Sequence, residues 1–179
     1  MIAATDQNLA MSASREREVE FERLLEQHGG IIRKVAYGYS RNATDRLDLM
    51  QEIALQLWRA FPRYSPERPF STWMYRIALN VAISFLRKNR LGRETVEFDE
   101  TKHEPRDASH PSPELEERIA LLRQMIAQCQ PLDRALLLLY LDECSYREIA
   151  AVLGLTETNV ATKLSRLKER FRQEATTRT

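Results

Sequence analysis

Ser145 to Phe171 reads SYREIAAVLGLTETNVATKLSRLKERF, and its punctuation predicts two helices joined by a tight turn. Ser145 with Glu148 forms a Ser-x-x-Glu capping box, so a helix starts near Tyr146. Gly154 can adopt the left-handed conformation that ends it, and Thr156 then caps a second helix. On that helix Val160, Leu164, Leu167 and Phe171 make one apolar stripe that must pack against something. At about 100° per residue the opposite face carries Thr158, Asn159, Thr162, Ser165 and Arg166, flanked by Lys163 and Arg170. A polar, basic helix held by a short preceding one is the arrangement of a DNA-binding helix-turn-helix. An ordinary helical hairpin with a solvated outer face has the same pattern, so the rest of the chain must decide.

The chain has 179 residues, 43% of them hydrophobic and 30% charged, with five glycines, which predicts a helix-rich soluble protein. Its formal net charge of +1 conceals segments of opposite sign. Residues 19–93 carry thirteen Lys and Arg against seven Asp and Glu, and residues 118–179 carry ten against seven. Between them, residues 94–117 hold nine acidic side chains against Lys102 and Arg106. Two basic blocks flank an acidic connector, and basic blocks imply a polyanionic partner. Cys129 and Cys144 lack Cys-x-x-Cys spacing, so neither a zinc site nor a disulfide framework is implied, and both are expected to be small buried residues. No metal or cofactor is expected. The apolar run LLLLYL at 136–141 is far too short to span a membrane, and no signal peptide is recognisable, so a cytoplasmic protein without membrane insertion is expected.

Residues 1–18 are polar and aperiodic and are expected to form a mobile tail. From Val19 to Tyr39 apolar residues recur at helical spacing, interrupted at Gly29-Gly30, where the helix should kink or break. His28, on the apolar side, is expected to be packed. Thr44 is the candidate cap of the next helix, whose buried stripe is expected to comprise Leu47, Met50, Ile53, Ala54, Leu57 and Phe61. Asp48, Gln51 and Glu52 cluster on another face, where a solvated surface is the default reading.

FPRYSPERPF, residues 61–70, has three prolines and predicts a stiff loop. Ser71 is the candidate cap of the helix after it, with Phe70, Met74, Ile77, Val81 and Phe85 as its apolar stripe. Arg63, Arg68, Arg76, Arg87, Lys88 and Arg90 interleave with Trp58, Phe61, Tyr64, Trp73 and Tyr75. Cations beside rings on which unpaired bases can stack describe a single-strand binding surface, although several of the five rings should be core. ETVEFDETKHEPRDASHPSP, residues 94–113, predicts a flexible acidic linker, and its His103 and His110 lack the partners of a metal site. Leu115, Ile119, Leu122, Ile126 and Cys129 then restart a helical stripe, Pro131 stops it, and a short helix from about Asp133 to Leu141 leads into the helix-turn-helix. The expectation is an all-α chain of two small helical domains joined by that linker, 19–93 and 114–179, the second a four-helix unit. Neither a nucleophile with a base nor a completed carboxylate cluster is present, so no catalytic residue is assigned and an enzyme is not expected.

With both halves in view the chain resembles the extracytoplasmic-function sigma factors of the sigma-70 family. DRLDLMQEIALQLWRAFPRY is similar to that family's Asp-Leu-x-Gln-Glu helix. The resemblance implies that Asp48, Gln51 and Glu52 contact core RNA polymerase, which displaces the solvated-surface reading. RPFSTWMYRIALNVAISFLRK resembles the promoter-melting helix, implying a role for Arg63, Tyr64, Arg68, Trp73, Arg76, Asn80, Arg87 and Lys88, with the loop from Pro62 to Pro69 and Asn80 nearest an extruded base. SYREIAAVLGLTETNVATKLSRLKER is similar to the upstream-element reader, implying Thr156, Thr158, Asn159, Thr162, Lys163 and Arg166. Family members commonly have Asp where this chain has Ser84, and a basic residue where it has Ala161. The implied partners are core RNA polymerase, promoter DNA and, as a family expectation alone, an anti-sigma factor. A stand-alone helix-turn-helix regulator that never joins polymerase is the alternative, and it predicts tight operator binding by the free protein.

Overall fold

In a computed structural model the chain is described over residues 2–40, 42–92 and 124–177, and every described element is helical. Helix α1 spans Ile2–His28 and α2 spans Gly30–Tyr39, so the chain breaks at the glycine pair, as its sequence predicts. Residues 2–18 belong to α1, which runs through them as one helix. Its anchor is Phe21, buried against Trp58 and Phe61 at ring-centroid distances of 5.2 and 5.0 Å. His28 packs as expected, with its ring 5.5 Å from that of Phe70.

Helix α3 spans Ala43–Ala60 and is capped by Asn42 rather than Thr44. Asn42 has extended backbone angles, its Oδ1 accepts from the Asp45 N–H at 2.7 Å, and its amide donates to the Asp45 carboxylate at 3.0 Å. Asn caps at least as well as Thr, and the reciprocal bond to Asp45 fixes the choice. The stripe of α3 is also displaced at one point: Leu49 is fully buried beside Ile53 and Leu57, whereas Leu47 points to solvent. Each of these buried side chains contributes about 1.5–3 kcal/mol.

A short 3-10 turn, Phe61–Arg63, opens the proline loop. The Tyr64 hydroxyl closes that loop by donating to the Arg68 carbonyl at 3.0 Å. Helix α4 spans Phe70–Gly92 and starts before Ser71, because burial of Phe70 draws that residue into the first turn and the Trp73 N–H donates to the Pro69 carbonyl. Of the five rings beside the cations, Phe61 and Tyr75 are buried, Tyr64 and Trp73 are half-buried and 5.1 Å apart, and Trp58 is exposed.

The expected linker, 94–113, lies outside the described residues, as does the start of the stripe after it. Chain 124–128 is helical and is called α5; it brings Met125 and Ile126 into the core, and Cys129 follows it there. Helix α6 spans Pro131–Leu141, so Pro131 is the first residue of a helix, where its missing N–H costs nothing. Helix α7 spans Tyr146–Leu153 and α8 spans Glu157–Thr177. Val160, Leu164 and Leu167 are buried and Phe171 is partly buried against the same core. Cys129 is buried, but Cys144 is only half-buried. Burial pushes both thiols up, so they stay protonated at neutral pH.

The two halves, α1–α4 and α5–α8, share one continuous set of buried residues, because α2 packs on α6 and α4 packs on α7. No helix among the described residues is long and apolar enough to cross a membrane.

Candidate polymerase and nucleic-acid faces

Three exposed faces carry the residues singled out in the sequence. On α3, Asp48, Gln51 and Glu52 are all exposed, and Glu52 accepts from the Gln56 amide at 2.8 Å. Beside them stand Leu47, Leu55 and Trp58, which are 60%, 41% and 39% exposed. At about 100° per residue these residues occupy one outward arc of α3, apolar along one edge and acidic along the other. An apolar edge on an exposed helix is the part of this face that the sequence concealed. Leu47 counted there as core, and Leu55 was hidden because it interrupts no period.

The second face runs along α4. Arg76, Asn80, Ser84, Arg87 and Lys88 are exposed and recur at i, i+4, i+8, i+11 and i+12, a single polar and basic stripe. Trp73 sits one turn earlier on the same side, half-buried against Tyr64 and 5.2 Å from the Phe70 ring. From Trp73 to Lys88 the helical rise gives about 22 Å of surface. Arg63 and Arg68 are exposed on the adjoining loop. The structure therefore gathers the eight residues of this group along one helix and the loop that precedes it. Tyr64 and Trp73 hold each other as much as they face outward.

The third face belongs to α8, whose start is built as the sequence predicts. The Ser145 Oγ accepts from the Glu148 N–H at 3.3 Å while the Glu148 carboxylate accepts from the Ser145 N–H at 2.8 Å. The Ser145 hydroxyl also donates to the Glu148 carboxylate at 2.7 Å, and this bond first, then the one from the Ser145 N–H, holds the Glu148 carboxyl below the ordinary range. Gly154 has φ 68° and ψ 35°, the left-handed turn that reverses the chain. The Thr156 Oγ1 accepts from the Asn159 N–H at 3.2 Å and so caps α8. Thr156, Thr158, Asn159, Thr162 and Arg166 are exposed, and Lys163 is half-buried at their edge. On the other side Lys168 donates to the Tyr140 hydroxyl at 2.8 Å and lies 4.0 Å over that ring, fastening α8 to α6. Among the described residues no group of three or more His, Cys, Asp and Glu side chains could hold a metal.

Family models match in the order of these faces: sigma-70 region 2 over residues 24–91 and sigma-70 region 4 over residues 119–171. The chain belongs to the sigma-70 family. Within it the chain is an extracytoplasmic-function sigma factor, an alternative sigma factor that directs transcription initiation. It is 29% identical over 157 residues to the ECF RNA polymerase sigma factor SigE of Mycolicibacterium smegmatis, a match covering 85% of this chain but 60% of that protein. It is 26% identical over 176 residues to the RNA polymerase sigma factor CnrH of Cupriavidus metallidurans, covering 93% and 92%. The ECF RNA polymerase sigma-E factor of Escherichia coli K12 is 26% identical over 175 residues, covering 92% and 91%. In fold, this sigma factor is similar to CnrH solved with the cytosolic domain of CnrY, with a TM-score of 0.68 and 21% identity over 97% of this chain and 99% of that one. It is also similar to the sigma factor RpoE solved with the anti-sigma factor NepR from Bartonella quintana, with a TM-score of 0.69 and 17% identity over 86% and 95%.

Proposed function

We propose that this sigma factor docks on core RNA polymerase through the α3 face, opens promoter DNA along α4 and reads an upstream element with α8. The observation that carries the reading is the exposure of all three faces on two regions matched in family order. Asp48, Gln51 and Glu52 supply the polar contacts to polymerase, with Leu47 and Leu55 as the apolar ones. Arg63, Arg68, Arg76, Arg87 and Lys88 track phosphates, while Tyr64, Trp73 and Asn80 hold an unpaired base. Extrusion of a base costs a few kcal/mol, which stacking and hydrogen bonding offset. Thr158, Asn159 and Thr162 reach base edges, and Thr156, Lys163 and Arg166 hold the backbone of the duplex.

Either half alone makes few phosphate contacts, so free promoter binding is weak. Docking on polymerase makes the second DNA contact effectively intramolecular. The protein acts without catalysis of its own, in the cytoplasm, where polymerase and promoter are. CnrH and RpoE were solved with CnrY and NepR, and that supports an anti-sigma partner for this chain too. A stand-alone regulator would leave the mixed apolar and acidic arc of α3 without a purpose.

The deciding experiment is co-elution of the purified protein with bacterial core RNA polymerase, beside a variant carrying Asp48→Ala, Gln51→Ala and Glu52→Ala. Co-elution lost in the variant, with unchanged helix content, is the expected result. Folded protein that never co-elutes, yet binds a DNA fragment tightly by itself, would return the free regulator.

A further inference from the structure

Helix α4 carries Arg76, Arg87, Lys88 and Arg90 without a single Asp or Glu over Phe70–Gly92. In other helices carboxylates take up the cations. Glu20 holds Arg23 at 2.7 Å and Glu169 holds Arg172 at 2.6 Å, each three residues apart, and Glu174 holds Arg170 at 3.6 Å, four residues apart. Lys34 of α2, at the seam where the two halves pack together, is taken up by Asp142, which also accepts from the Tyr75 hydroxyl of α4. Arg76, Arg87 and Lys88 make no such pair among the described residues.

Ser84 stands where a pairing carboxylate would act, three residues before Arg87, four before Lys88 and four after Asn80, and all four side chains are exposed. Residues at these spacings are neighbours on one helix face. The Ser84 hydroxyl makes no hydrogen bond among the described residues, not even to the carbonyl one turn back that a helical serine can take. A carboxylate at this place would draw Arg87 and Lys88 into i, i+3 and i, i+4 pairs and would itself repel a phosphate laid on the stripe. Serine does neither. Its short side chain also leaves a gap between longer neighbours, through which a phosphate can reach the helix surface.

We infer that Ser84 sets how strongly α4 grips single-stranded DNA: its hydroxyl donates to a phosphate oxygen and, by carrying no charge, it leaves both Arg87 and Lys88 to the phosphates. The inference rests on the reading of α4 proposed above and names the residue that tunes it. Asn80, which holds an unpaired base in that reading, is one turn or about 6 Å away along the helix, a separation that one nucleotide spans from base to phosphate. Each phosphate neutralised on a single strand adds about 0.7 to the slope of log affinity against log salt, so the charge at this one position is measurable.

The test titrates the full chain against a fluorescent single-stranded oligodeoxynucleotide of random sequence over a range of salt concentrations, with helical circular dichroism checked for each variant. Ser84→Asp is expected to weaken binding about tenfold at low salt and to lower the salt slope by about 0.7–1.4, the equivalent of one to two phosphate contacts. Ser84→Asn keeps a donor without a charge and should bind within about twofold of the parent, while Ser84→Ala should lose about threefold, both at an unchanged slope. Added to Arg87→Ala with Lys88→Ala, Ser84→Asp should cost less than about twofold more, because it acts chiefly through those cations. If Ser84→Asp binds as the parent does while the Arg87→Ala, Lys88→Ala pair binds more weakly, the role of Ser84 is overturned and the reading of α4 stands. Equal losses from Asp, Asn and Ala also overturn it, since the position would then act by shape and not by charge. A parent that does not bind, or a cation pair whose removal changes nothing, sinks the reading of α4 and this inference with it.

Discussion

Arg134 of α6 lies over the ring of Tyr39 of α2, its guanidinium carbon 5.2 Å from the centroid, so a buried cation and a buried phenol close the seam from opposite sides. Arg134 donates to the Gly38 carbonyl at 3.0 Å and to the Ala127 carbonyl, and Tyr39 donates to the Pro131 carbonyl at 2.7 Å. Burial pushes the Tyr39 hydroxyl above its ordinary pKa, so it remains a donor at neutral pH. Hydrogen bonds from a charged group contribute about 1.5–3 kcal/mol each, and removing one partner leaves buried carbonyls unsatisfied. Arg134→Met, which keeps the bulk, is expected to cost about 2–4 kcal/mol in urea unfolding. A loss under 0.5 kcal/mol would show that water replaces the guanidinium at no cost.

Glu143 is the one described residue other than glycine with positive φ, and it occupies the place after α6 where glycine usually terminates a helix. The left-handed conformation costs an L side chain about 1–2 kcal/mol, part of which is returned by the greater freedom of glycine in the unfolded chain. Glu143→Gly is therefore expected to stabilise the protein by about 0.5–1 kcal/mol. Thermal unfolding measures it, and a fall in midpoint would mean that the Glu143 side chain makes a contact worth more than the strain.

The capping box predicts a pH dependence with a definite sign. The folded protein holds the Glu148 carboxyl below its ordinary value of 4.5 through hydrogen bonds from Ser145. A carboxyl with a lowered folded pKa adds stability above pH 4.5 and loses it as pH falls through the folded value. Glu148→Gln should flatten that part of the stability profile while leaving the plateau at pH 7 slightly lower. Ser145→Ala should cost about 1 kcal/mol at neutral pH. If the acid limb kept its slope in Glu148→Gln, other carboxylates would be responsible for it.

The helix-turn-helix was legible because its information is local: Ser145, Glu148, Gly154 and Thr156 each act within four residues of where they stand in the chain. The break at Gly29-Gly30 was legible for the same reason. Competition between neighbours was not. Asn42 outbid Thr44 because Asp45 could answer it, and Phe70 displaced Ser71 because its ring had a pocket to fill. The seam was invisible, since a lysine, a tyrosine and an aspartate spaced across more than a hundred residues have no period to reveal them. Gly38 belongs to it too: a Cβ there would stand 2.7 Å from Leu138 Cδ1, a closeness that only the packed halves create.

The arc on α3 separates a folding role from a docking role. Leu47 and Leu55 are exposed, so replacing them removes little buried area, and surface changes usually stay within about 0.5 kcal/mol of neutral. An interface concentrates its energy in a few apolar anchors ringed by polar contacts, each anchor worth about 2 kcal/mol or more. Leu47→Ser with Leu55→Ser should therefore leave the unfolding midpoint almost unchanged while weakening binding to core RNA polymerase by at least thirtyfold. Arg87→Ala with Lys88→Ala, on α4, should leave that binding intact and lower the salt dependence of single-strand binding by about one to two phosphate contacts. Competition binding against a labelled reference sigma factor, run with both pairs, distinguishes the two faces. If the leucine pair bound polymerase as the parent does, the apolar edge of α3 would have no part in docking, and the acidic edge would carry it alone.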